Sequence, residues 1–221
     1  MLPSPGQTLA NLRERAQALR RAGTACCSAE AAAGGLGPPA SLGGVLPDGY
    51  EIRALAGSDA AALADAYRRN REHLAPWEPA RDAGFFTREG QRSAVADQLA
   101  MATQGLLAAW VMTSGEQVVG RVTLNNIVRG VLRSSSVGYW IDAEHLGRGL
   151  ASAAVEFACA QARGRGLHRV EAGTLVHNVA SQRVLLRSGF EFFGLAPRYL
   201  FIGGDWRDHR LYQRILHNNP L

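Results

Sequence analysis

From Tyr50 onward, apolar and polar positions follow periods that predict a succession of elements. "YEIRAL" suggests a first strand. Ser58 and Asp59 are helix-start residues, so a helix is expected over Ala60–Arg71. "HLAPWEPAR" is punctuated by proline and reads as a loop, after which Arg88–Thr103 returns to helical spacing. Leu106–Met112 and Gln117–Ile127 alternate as strands around the turn "TSGE", the pattern of a hairpin. Ser135–Ile141 is a further strand. A helix is then expected over Leu150–Arg163, a strand over Leu167–Val176, and a short helix over Ala180–Arg187 ended by Gly189. A last hairpin runs Phe190–Ile202, turns at Gly203-Gly204 and returns as Trp206–Leu216. The order βαα-βββ-αβ-αββ, with no internal repeat, predicts an α/β (α+β) layer sandwich.

Residues 1–48 differ in kind. Asn11–Arg21 has the spacing of a short amphipathic helix with Leu12 and Leu19 on one face, and Gly34–Pro47 reads as a Gly/Pro-rich linker. No secretory h-region is present. The expectation is a flexible N-terminal extension over 1–48 and a single domain over 49–221.

Composition narrows the chemistry mainly by exclusion. Of 221 residues, 47% are hydrophobic, enough for a packed core, and no apolar run reaches membrane-spanning length. The net charge of +5 favours anionic partners such as nucleotide cofactors without identifying one. All 24 basic residues are arginine, which excludes a P-loop lysine and a Schiff-base lysine. Cys26 and Cys27 are adjacent and Cys159 falls within a predicted helix. That pattern suits a reduced, cytoplasmic compartment better than a disulfide framework, and Cys159 reads as a small core residue. The six histidines show no metal-ligand spacing, so no metal is expected. Trp77, Trp140 and Trp206 are expected to pack or to line a cleft, with packing preferred for each.

One stretch carries a chemical signal. "HLGRGLA" (His145–Ala151) sits where a strand hands over to a helix. The first turn of a helix leaves backbone N–H groups unpaired and partly positive, and glycines let the chain wrap closely around an anion. Gly147 and Gly149 would remove side-chain bulk, Arg148 would add charge, and the amides through Leu150 and Ala151 would bind a pyrophosphate. A G-x-G fragment before a helix is also a common tight turn. It lacks the Walker pattern and the third glycine of the dinucleotide fingerprint.

The run "VGYWID…HLGRGLASAAVEFA" followed by "VHNVASQRVLLRSGF" resembles the GCN5-related N-acetyltransferases (GNAT). Their pyrophosphate loop, Q/R-x-x-G-x-G/A, is matched by Leu146-Gly147-Arg148-Gly149-Leu150-Ala151, with Leu146 in the usual Gln/Arg position. Their second signature is matched by Asn178, Ser181 and Gly189-Phe190. Within the family, "LAPWEPAR", "NNIVRG", "GYW" and "RYLFIGGDWRDH" resemble the RimJ/RimL branch of ribosomal-protein-alanine N-acetyltransferases, and RimJ more than RimL.

The resemblance implies a mixed, mostly antiparallel central sheet with helices on both faces, and acetyl transfer from acetyl-CoA to an amine by direct attack in a ternary complex. The implied acceptor is a protein N-terminus, possibly ribosomal; a small amine such as an antibiotic or polyamine is the alternative. A silent acetyl-CoA-binding module or a basic RNA-associated protein is the reading from a different class. No direct nucleic-acid site, no membrane contact, and a monomer or homodimer are expected. Tyr139, Trp140 and Ile141 would supply the strand beside the cofactor, and Asn178 would bridge cofactor and backbone. Ser181 would protonate the leaving thiolate, unless it is only a helix cap. The position at which some related enzymes carry a Glu base is Gly173 here, and the RimL-type Glu position falls on Leu200. Glu171, two residues before Gly173 on the same strand face, is the expected base acting through water; Glu78, Asp208 and His177 are the alternatives.

Overall fold

The computed structural model describes residues 43–220. The expected helix Asn11–Arg21 and the first part of the Gly/Pro-rich segment lie outside the described residues. Strand β1 (Gly44–Val45) pairs with β2 (Glu51–Ala54) across the single turn Pro47–Gly49. After β2 come helix α1 (Ala60–Arg69), the one-turn α2 (Arg71–Leu74) and α3 (Arg88–Thr103). Strands β3 (Ala108–Ser114), β4 (Gln117–Val128) and β5 (Ser134–Ile141) form a meander. Helix α4 (Leu150–Gly164), β6 (Arg169–Leu175), α5 (Val179–Arg187), β7 (Glu191–Ile202) and β8 (Asp205–Ile215) complete the described residues.

One eight-stranded sheet results, in the order β1-β2-β3-β4-β5-β6-β8-β7. Every neighbouring pair is antiparallel except β5–β6. That parallel pair needs a crossover, and α4 provides it. Helices cover both faces, which is why β3 is buried at every position but its last. On one face Trp110, Met112, Val122 and Leu124 pack with Leu150, Ala154, Val155 and Ala158 of α4. On the other, Val111, Val118 and Trp140 pack with Leu63, Ala66 and Tyr67 of α1 and Val95 of α3. Truncating a fully buried Leu such as Leu63 in such a layer costs about 2–5 kcal/mol.

The expected helix Ala60–Arg71 is interrupted, and the reason lies far away in sequence. Asn70 Nδ2 donates to the Ala66 carbonyl at 3.0 Å and to Asp142 Oδ2 at 2.8 Å, while its Oδ1 accepts from the Ala143 N–H at 2.8 Å. Arg69 adds a 2.6 Å ion pair to the same carboxylate. Burial alone would raise the Asp142 carboxyl. The bonds from Asn70, the Glu144 N–H and Arg69 instead hold it below the usual carboxylate range. The end of β5, where the glycine turn begins, is thereby clamped to α1.

Candidate active site

The parallel pair β5–β6 is short. Only Ser134–Ser136 of β5 pair with Arg169–Glu171 of β6. Beyond that point β5 keeps its β4 partner and β6 keeps β8, but the two strands no longer bond to one another. The sheet opens as a V, and the edge of β5 from Val137 to Ile141 is left with backbone groups facing a gap. A cavity of about 570 Å³ occupies the opening, lined by Val137–Ile141 on one side and Ala172–Leu175 on the other.

Gly147 and Gly149 have φ of 75° and 76°, the left-handed region that favours glycine. An added Cβ at either would meet nothing within 4 Å, so the side-chain-free face of the turn is open space. The first backbone bond of α4 runs from the Ala153 N–H to the Gly149 carbonyl at 3.0 Å, leaving the N–H groups of Leu150, Ala151 and Ser152 without an intrahelical acceptor. Leu150 directs its side chain into the core, so only its N–H is available to a ligand. Leu146 and Ala151 line the cavity, while Arg148 is exposed beside it.

At the β6–α5 junction Ser181 is not the cap residue. Asn178 is the cap: its Oδ1 accepts from the Ser181 N–H at 3.0 Å. Gln182 fixes the preceding loop by donating to the carbonyls of Leu175 at 3.2 Å and Val176 at 2.9 Å. The Ser181 hydroxyl is left free of capping and lies 2.9 Å from the Tyr139 hydroxyl. Burial pushes the Tyr139 phenol up to about 12, with the Ser181 hydrogen bond pulling the other way. Tyr139, Trp140, Ile141, Asn178 and Ser181 all line the cavity.

The expected base is not there. Glu171 lies before the V opens, paired on both sides with Ser136 and Gln213. Its carboxylate is held 2.8 Å from Arg169 Nε, and the cavity wall begins one residue later, at Ala172. Its shared strand face with Gly173 does not bring it to the gap, because the divergence of β5 and β6 starts between the two. Asp208 accepts from the backbone N–H of Arg198 at 2.8 Å on the outer hairpin, and His177 packs against Trp77. Glu78 does line the cavity, together with Leu200, Trp77 and Gly173. Trp140 is buried and donates to the Tyr67 hydroxyl at 3.1 Å, whereas Trp206 is exposed and packs on Phe201. Cys159 is buried on α4, where desolvation pushes its thiol up to about 11, unsuited to a nucleophile.

Several polar atoms in the cavity wall were invisible to sequence reasoning. Gln98 Oε1, Thr174 Oγ1 and both Nε and Nη2 of Arg121 are buried with no hydrogen-bond partner among the described residues. Buried polar atoms are ordinarily paired, so a wall carrying several orphans is suited to a polar guest. Among the described residues no cluster of His, Cys, Asp and Glu has the make-up of a metal site, and no helix is long and apolar enough to cross a membrane.

The profile of the acetyltransferase (GNAT) domain matches residues 50–191. The "[Ribosomal protein uS5]-alanine N-acetyltransferase" of Escherichia coli (strain K12) is 34% identical over 167 residues, covering 74% of this chain and 86% of that protein. The ribosomal-protein-S5-alanine acetyltransferase of Vibrio fischeri superposes with a TM-score of 0.74 at 34% identity, covering 77% of this chain and 96% of that one. RimJ of Mycobacterium smegmatis, solved in complex with CoA-disulfide, gives 0.72 at 32% identity over 75% of this chain and 81% of its own. The V-shaped gap, the glycine turn at the head of α4 and these matches place the chain in the GNAT family, as an N-acetyltransferase related to the RimJ/RimL enzymes.

Proposed function

We propose that this enzyme moves the acetyl group of acetyl-CoA onto the N-terminal α-amine of a protein, a ribosomal protein being the acceptor class its relatives' names suggest. The observation that carries the reading is the unpaired β5 edge, Val137–Ile141, with the glycine turn beyond its C-terminal end and the Ser181–Tyr139 hydroxyl pair at Tyr139.

The residues present fit the coenzyme. Gly147, Arg148, Gly149 and the N–H groups at the start of α4 would receive its pyrophosphate, with backbone amides rather than the Leu146 side chain as the donors. The amide-rich pantetheine arm is suited to lie along β5 as an added strand. A β5 N–H within Tyr139–Ile141 would stabilise the thioester oxygen as it gains charge, the Asp142 N–H being bonded to the Val119 carbonyl. Ser181 then gives its proton to the departing sulfur, with Tyr139 behind it holding the hydroxyl in position.

The acceptor side favours a peptide over a polycationic small molecule. Its lining holds one carboxylate, Glu78, against the guanidinium groups of Arg81 and Arg121. A polyamine or an aminoglycoside-like drug would call for several acids there. A panel of peptides differing in their first residue, together with small amines, tests the assignment by mass spectrometry after incubation with acetyl-CoA. Acetylation confined to peptide α-amines is expected; acetylation of the small amines alone would replace the reading.

A further inference from the structure

We infer that Glu78 and Arg121 form a clamp for an α-aminoacyl group, Glu78 receiving the amine and its proton and Arg121 the carbonyl oxygen of the same residue. The inference rests on the reading above and names the side chains that would select its acceptor.

Glu78 is the only carboxylate among the residues lining the main cavity. It also lines a second cavity of about 300 Å³, so it stands in the wall the two share. No ion pair ties its side chain down among the described residues. Arg121 comes from β4, opposite Trp140 in the register, and is 7% exposed. It is a buried cation that lines the same cavity, and its Nε and Nη2 have no hydrogen-bond partner among the described residues. Such a group is costly unless a ligand supplies an acceptor. Glu78 feels the positive charges of Arg81 and Arg121 yet forms an ion pair with neither. A carboxylate and a guanidinium lining one cavity together suit a group with a donor at one end and an acceptor at the other. An N-terminal residue is such a group, with its ammonium and carbonyl two bonds apart on one α-carbon. An isolated alkylamine has only the first half.

The same arrangement handles protons. Glu78 takes one proton from the ammonium and later passes it to solvent. The neutral nitrogen attacks the thioester carbon, forming the C–N bond as the C–S bond breaks. The second proton, carried by the nitrogen after attack, replaces through the hydroxyl pair the one Ser181 gives to sulfur.

The test compares an alanyl peptide with isopropylamine, which keeps the branched amine and lacks the carbonyl. Thiol release is followed with acetyl-CoA, and peptide binding to the CoA-loaded protein is followed by calorimetry. Glu78→Gln is expected to lower kcat about 100-fold on both amines with coenzyme affinity unchanged. Arg121→Met is expected to raise the peptide's KM and its calorimetric Kd at least about 10-fold while leaving isopropylamine unaffected, and to keep or raise the thermal midpoint. A Glu78→Gln enzyme with normal kcat overturns the inference. So does an Arg121→Met protein with unchanged preference, or one that unfolds, which would make Arg121 structural. Should the unaltered protein bind peptide yet release no thiol with any amine, the acetyl-transfer reading fails, and the Kd of Arg121→Met alone decides whether the clamp stands.

Discussion

At the end of the cavity proposed for the coenzyme the wall is backbone: the free edge of β5, two glycines with positive φ and the open N–H groups of α4. At the acceptor end it is side chain: Glu78 from a loop, Arg121 from β4, Tyr67 from α1 and Trp140 from β5. The first end needs only residues that stay out of the way, and the second needs particular functional groups brought together from distant segments. Backbone recognition suits a ligand shared by many enzymes, while side chains set what each accepts. Asp142, clamped by Arg69 and Asn70, ties the two ends together.

The largest expected effect is at the backbone end. Gly149→Val should reduce acetyl-CoA affinity more than about 100-fold by calorimetry, since its side chain would fill the space open to the pyrophosphate. The left-handed φ adds strain of about 1–2 kcal/mol, which circular dichroism should show as a lower thermal midpoint in a folded protein.

Asp142→Ala should injure both ends together. Loss of the buried carboxylate is expected to cost about 2–4 kcal/mol in denaturant unfolding, below the full penalty for a stranded buried charge because Arg69 remains 31% exposed. The folded-state carboxyl lies below its ordinary 3.8, so its contribution is complete above the unfolded value and is lost as pH falls through the folded one. Asp142→Asn should therefore flatten the loss of stability below about pH 4.

Ser181→Ala should lower kcat by about 100-fold with acetyl-CoA binding intact, separating chemistry from the backbone seat. Tyr139→Phe should have a smaller effect and leave the shape of the pH–rate profile unchanged up to pH 10, because the phenol does not ionise until about 12. Smallest of all, Leu146→Arg should tighten acetyl-CoA binding by no more than about 5-fold, since that position is 53% exposed and an added charge there is largely solvated.

The same contrast explains what was legible in the sequence. Helix α3 falls at Arg88–Thr103 as predicted because its signals are local, with Thr87 Oγ1 accepting from the Gly90 N–H at 3.0 Å. Gly147 and Gly149 marked the turn at the head of α4 for the same reason, both having positive φ. The break at Asn70 was not legible, since its cause is Asp142 in another element. Glu171 was misplaced because strand periodicity gives a face but not the point at which β5 and β6 part. Arg121 sits in an unremarkable strand, and only the fold shows that its donors meet no partner.

The most direct measurement is the initial rate of thiol release from acetyl-CoA with an alanyl peptide, against the same peptide with its N-terminus already blocked. Release that requires the free α-amine is predicted. Release that stays at the no-acceptor background, in a protein that binds acetyl-CoA, would contradict acetyl transfer to a protein N-terminus.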